Sequence, residues 1–207
     1  MTAHLRSLLI AFLAFAPLTA LAAQYVDHDG YRIHYTTFSS TIIPPDVAAL
    51  QDLLVYTLKG IAFWADKARA KGVKDQEIDR FMIDGLFTTV TNVDFDPEAV
   101  SKFVAEGVRL RDKAKQLAGA FDGTVPAAAQ DWTLPASIDE QVKLGELHGV
   151  KDYSVDPDIH SVREITMYGI KGYAAYADHA RILGKESEEI YAYTHKALAA
   201  QLDDSLD

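Results

Sequence analysis

The sequence contains no cysteine. In a secreted chain this removes disulfides, and in any chain it removes the thiolates that hold iron–sulfur clusters. Positive charge is also scarce. Lys and Arg number 20 against 30 Asp and Glu, for a net charge of −10. The basic residues are interspersed with acidic ones and form no stripe suited to a phosphate backbone, so nucleic acid is not an expected partner. The apolar run from Leu8 to Phe15 is well short of the roughly 20 residues that span a bilayer. What remains is a chain of 207 residues, 49% hydrophobic and 10% aromatic, long enough for a compact domain with a real core.

The strongest positive signal is a duplication. Tyr56 to Gly72 reads YTLKGIAFWADKARAKG, and Tyr168 to Gly184, 112 residues later, reads YGIKGYAAYADHARILG. Tyr56, Lys59, Gly60, Asp66, Arg69 and Gly72 recur as Tyr168, Lys171, Gly172, Asp178, Arg181 and Gly184, and the register holds without a gap to Leu86 and Leu198. Apolar residues recur at three- and four-residue spacing, so each unit reads as a helix, a stop and a second helix. Gly72 and Gly184 stand where a C-terminal cap needs positive φ, and Asp75 and Ser187 follow as N-caps. Gly60 and Gly172 fall inside helices at a cost of ~1 kcal/mol each relative to alanine, which predicts equivalent close approaches of a neighbouring helix backbone. Asp66 with Arg69, and Asp178 with Arg181, are three apart and are expected to pair along the helix as structural ion pairs.

The repeated pattern, with Thr89-Val90-Thr91-Asn92-Val93-Asp94-Phe95-Asp96, resembles the hybrid cluster protein family, whose members are also called prismanes or hydroxylamine reductases. The resemblance runs from about Leu50 to Leu202 and covers the family's N-terminal helical domain alone. It implies two three-helix bundles. The family's hybrid cluster ligands, Cys, Glu and His of later domains, have no counterpart here, so the resemblance carries over no catalytic, cofactor-binding or metal-binding residue. Iron–sulfur clusters are not expected.

The rest of the chain fits this frame. Met1 to Ala23, with Arg6, the short apolar run and the small residues Ala20 and Ala22, reads as a signal peptide for the general secretory route. The expected location is therefore periplasmic or secreted, with no stable membrane insertion after cleavage. Residues 24–45 carry Tyr31, Ile33 and Tyr35 in strand alternation after an Asp29-Gly30 turn pair, which predicts a short β hairpin. The run from Tyr25 to Leu50 also resembles the opening of a small secreted proteobacterial domain family. Residues 46–123 then form the first bundle, its third helix opened by Asp96-Pro97 and stopped by Gly123. Residues 124–136 are a Pro/Ala-rich linker, and 137–207 the second bundle. The fold class is mainly α.

Asn92, Asp94 and Asp96 can fold back on the backbone and set the entry angle of the third helix. Tyr168, Tyr173, Tyr176, Tyr191 and Tyr193 read as core and interface aromatics. These residues suggest a cofactor-free scaffold or interaction module whose partner is another protein or a second copy. Two alternatives stay open. One is a helical fragment of an oxidoreductase that needs cluster domains from another chain. The other is a binder of metal or a small molecule through His28, His34, His179 or His195, with Glu188 or Glu189 nearby.

Overall fold

The structure is a computed structural model that describes residues 23–28, 31–36, 44–91, 95–149 and 156–203. Residues 1–22 of the expected signal peptide, the Asp29-Gly30 turn, Asn92 and Asp94 lie outside the described residues, while Ala23 opens the first strand. Strands β1 (Ala23–His28) and β2 (Tyr31–Thr36) pair antiparallel, with Val26 opposite Ile33. The described residues up to Pro45 belong to one compact unit and those from Asp46 onward to another.

The second unit is helical. Its described elements are α1 (Pro45–Ala70), α2 (Gln76–Thr91), α3 (Pro97–Ala118), a 3-10 turn at Ala127–Ala129, α4 (Ile138–His148), α5 (Pro157–Ile182) and α6 (Glu188–Ala200). Helices α1 and α5 are both 26 residues long, and their first and last residues are 112 apart. Both end in the same motif. Gly72 and Gly184 take φ of 81° and 75°. In each, the next residue's N–H reaches back to Ala68 or Ala180 and the glycine N–H to Arg69 or Arg181, closing the carbonyls a helix end leaves open. Asp75 and Ser187 then cap α2 and α6 by accepting from the N–H of Ile78 and Ile190. The third helix stops earlier than expected. Gly119, at φ 67°, donates to the carbonyls of Lys115 and Gln116 and ends α3 four residues before Gly123.

One hydrophobic core draws on both halves. Leu53, Leu54, Leu58 and Ile61 of α1 and Met82 and Leu86 of α2 join Ile170 and Ala174 of α5 and Leu198 of α6. Helix α1 is apolar and long enough to cross a bilayer, but most of that stretch is buried within the protein, as in a core helix. Residues 124–136 are part of the packing: Ala128 and Ala129 are buried, and the Trp64 indole N–H donates to the Ala129 carbonyl at 2.7 Å.

The two helix glycines part company here. A methyl on Gly60 would sit 2.1 Å from the Ala128 carbonyl oxygen, so the backbone that approaches belongs to the 3-10 turn and leaves no room. A methyl on Gly172 would meet nothing within 4 Å. The expectation of equivalent helix contacts is corrected on both counts. Gly60→Ala should therefore lower stability by ~1–3 kcal/mol through overpacking. Gly172→Ala should leave it unchanged or raise it by up to ~1 kcal/mol. Urea denaturation followed by circular dichroism in dilute solution measures both, and equal midpoint shifts would contradict the assignment.

Candidate functional site

Charged residues on apolar helix faces make the most concentrated polar feature of the helical unit. Asp79 lies on the α2 face that also carries Met82, Ile83 and Leu86, and is 4% exposed. Its Oδ1 accepts from the Arg69 guanidinium at 2.5 Å and lies 2.7 Å from Nε2 of His195, which is fully buried on α6. Arg69 continues to Glu188, and Lys74 reaches the same carboxylate at 3.1 Å. Burial of a lone carboxylate is costly, and here two cationic or hydrogen-bonding partners compensate it. Nδ1 of His195 has no hydrogen-bond partner among the described residues.

Two more links run across the same seam between α2 and the α5–α6 hairpin. Arg181 bonds Asp84 of α2 and Asp178 of its own helix, the latter at 2.6 Å. Asp84 has its pKa raised, chiefly by burial and further by Asp178, against the pull of Arg181. Further along, Arg80 and the Tyr191 hydroxyl both bond Glu186. Together they hold the Glu186 carboxyl down at about 2, while burial first and the hydrogen bond to Glu186 second push the Tyr191 phenol up to about 12.

A second constellation follows the repeat. Lys59 and Lys171, 112 apart and half-buried, both feel Asp52 and Glu164, which are also 112 apart. Burial lowers the pKa of both amines, and the two carboxylates oppose it.

The expected site residues are thus distributed. Asp178 and Arg181 pair as expected, but Asp66 faces Lys67 at 3.7 Å and Arg69 turns to Asp79 and Glu188 instead, because those acids stand on neighbouring helices. Asp96 caps α3 by accepting from the Glu98 N–H at 2.9 Å. His179 is exposed and edge-on to Phe87, away from the buried His195. The side chains of His28 and His34 lie outside the described residues. Tyr173 donates to Thr194, but Tyr168, Tyr176 and Tyr193 are exposed rather than core. Asp79, Asp84, Glu186 and Arg111 were not singled out from sequence. Arg111, 2% exposed, donates to the Trp132 carbonyl and lies over its ring. The available signal was a charge at an apolar-stripe position, as for Asp79 before Met82 and Arg111 before Ala114.

Chemically, the Asp79 cluster resembles an acid–base pair without a substrate. The cavity beside it, lined by Ala65, Ala68, Arg69, Ile78 and Asp79, holds about 10 Å³, room for one water at most. A wider surface cleft of about 540 Å³ is floored by Trp64 and Phe121, with Lys115 and Asp131 paired at 2.6 Å. Among the described residues no group of three His, Asp or Glu could hold a metal. The donor set does not fit an iron–sulfur cluster, since thiolates are absent from the whole chain.

A mainly α unit of six described helices, with buried charges linking α2 to α1, α5 and α6, defines a helical domain. Its relatives place it further. The profile of the Prismane/CO dehydrogenase family matches residues 43–207, and the chain belongs to that family. It is 47% identical over 167 residues to a hydroxylamine reductase of Geobacter sulfurreducens, covering 77% of this chain and 30% of that protein. Hydroxylamine reductases of Geobacter metallireducens and Natranaerobius thermophilus are 46% and 44% identical, with the same 30% of each covered. The chain therefore spans about a third of the length of these relatives.

Two outcomes follow. Asp79→Ala should cost ~3–5 kcal/mol, because it strips a buried pair of its carboxylate. Asp66→Ala on the surface should stay within about 0.5 kcal/mol. Chemical denaturation compares them, and a small Asp79 effect would mean the cluster is not holding the helices. The second concerns acid. A carboxyl lowered in the folded state contributes stability that is present above its ordinary pKa of 4.5 and lost as pH falls toward about 2. Glu186→Gln should flatten that acid limb in a pH series of thermal melts; an unchanged limb would contradict it.

Proposed function

We propose that the chain is an exported, cofactor-free helical scaffold or interaction module descended from the helical domain of a hydroxylamine reductase-type protein. The observation that carries this reading is the complete lack of cysteine in a chain otherwise 47% identical to a hydroxylamine reductase. Thiolates are what an iron–sulfur protein needs first. Arg6, the apolar run and the small residues Ala20 and Ala22 support reading the chain as exported to the periplasm or outside the cell. We read residues 46–123 and 137–207 as two related three-helix bundles because segments 56–72 and 168–184 correspond at a constant offset of 112. The partner on this reading is a protein or a second copy, neither nucleic acid nor a membrane.

The level of identity also favours a second reading. In it, the chain supplies the helical third of an oxidoreductase whose cluster-bearing remainder comes from another polypeptide. Anaerobic reconstitution of the purified chain with ferrous iron and sulfide tests the first. Gel filtration should leave no stoichiometric iron and no broad visible absorption. A stoichiometric thiolate-like or other iron chromophore would sink the cofactor-free reading.

A further inference from the structure

The loop after α3 builds the wide cleft on the surface of the helical unit. Gly119, at φ 67°, turns the chain out of α3, and Phe121 folds back onto α1. Its ring stands edge-on to Phe63 and Trp64, at centroid distances of 5.5 and 5.9 Å. The loop is tied down at several points. The Lys71 amine donates to the Ala120 carbonyl at 3.2 Å, the Gln130 side-chain amide to the Val125 carbonyl at 3.0 Å, and the Trp64 indole N–H to the Ala129 carbonyl. The cleft is therefore preformed, and its volume of about 540 Å³ falls within the ~300–1,000 Å³ of small-molecule sites. Its lining combines apolar surface from Trp64, Phe121 and Val125 with one cation and one anion. The Lys115 amine lies 2.7 and 2.6 Å from the two Asp131 carboxylate oxygens. Both side chains are exposed, at 38% and 74%, so water screens the pair and it contributes little to the fold. Either end can change partner without burying a charge.

We infer that this cleft binds a free α-amino acid with an apolar side chain, its carboxylate taken by Lys115, its ammonium by Asp131 and its side chain laid on Phe121 and Val125. The chemistry of the lining selects that class. In an α-amino acid both charges sit on one carbon, and the Lys115 and Asp131 charges are likewise adjacent, so each ligand charge meets its opposite when the protein pair opens. A plain carboxylate would leave Asp131 without a cation, and a plain amine would leave Lys115 without an anion. The apolar surface supplies the part of the attraction that water does not screen. The Lys67 amine, 5.8 Å from the Phe121 ring centroid, already places a cation against that ring, so a neutral ligand side chain suits the site better than a basic one.

Isothermal titration calorimetry of the purified chain with L-phenylalanine and with L-leucine tests this. One molecule should bind per chain, with a dissociation constant below about 1 mM. Three further probes each remove one recognised group: N-acetyl-L-phenylalanine lacks the ammonium, L-phenylalaninamide the carboxylate and glycine the side chain. Each should bind about 10-fold more weakly or worse. Lys115→Met and Asp131→Asn, both at exposed positions, should each weaken L-phenylalanine by about 10-fold or more while circular dichroism shows the helical fold intact. No heat from either amino acid at millimolar concentration would overturn the inference. So would equal binding of either blocked form, or an affinity indifferent to both substitutions.

Discussion

The helical unit depends on how one buried carboxylate is satisfied. Asp79 sits on the apolar face of α2, where an uncompensated charge would cost several kcal/mol. Its partners come from two other helices: Arg69 from the end of α1 and His195 from α6. Arg69 belongs to the same half of the chain as Asp79 and His195 to the other, so the cluster spans both halves. The neighbouring links, Arg181 to Asp84 and Arg80 to Glu186, run the same way, from one repeat to the other. Hydrophobic burial supplies most of the driving force for packing, but it is non-directional. The charged seam is what fixes how the α5–α6 hairpin lies on α2.

Segments 56–72 and 168–184 can be compared residue by residue. What local chemistry dictates matches in the two: helix length, the positive-φ glycines at 72 and 184, and the caps at 75 and 187. What depends on neighbours has diverged. Asp66 and Asp178 are the same residue in the repeat, yet one is on the surface and the other is 3% exposed beside Arg181. Gly60 receives a carbonyl oxygen while Gly172 faces open space. The first copy is wrapped by α3 and by the segment at Ala127–Ala129, and α5 has no described counterpart of that wrapping.

This division also explains how much was legible in the sequence. Helix count follows from periodicity and caps, which are local signals, as does the opening of α3 at Asp96-Pro97, while the family was legible as a resemblance carried by the motifs at 56–72, 89–96 and 168–184. The end of α3 was misplaced because Gly119 and Gly123 are both plausible stops, and only the Gly119 N–H finds the carbonyls. The ion-pair partners of Arg69 were misassigned because a three-residue spacing licenses a pair without excluding a better one across a helix interface. Asp79 and Arg111 were visible as charges on apolar stripes. Their partners were not, since Asp79 and His195 are 116 residues apart.

The central claim is that the seam makes residues 46–207 one cooperative unit rather than two hairpins that open separately. Native-state hydrogen exchange reads this directly, because each amide reports the free energy of the opening that frees it. The account predicts that the buried α5 amides of Ile170 and Ala174 exchange with the same free energy and denaturant dependence as those of Leu54 and Leu58 in α1. Exchange in α5 and α6 at a clearly lower free energy, with α1 still protected, would show that the second hairpin opens independently and that the seam does not bind the halves together.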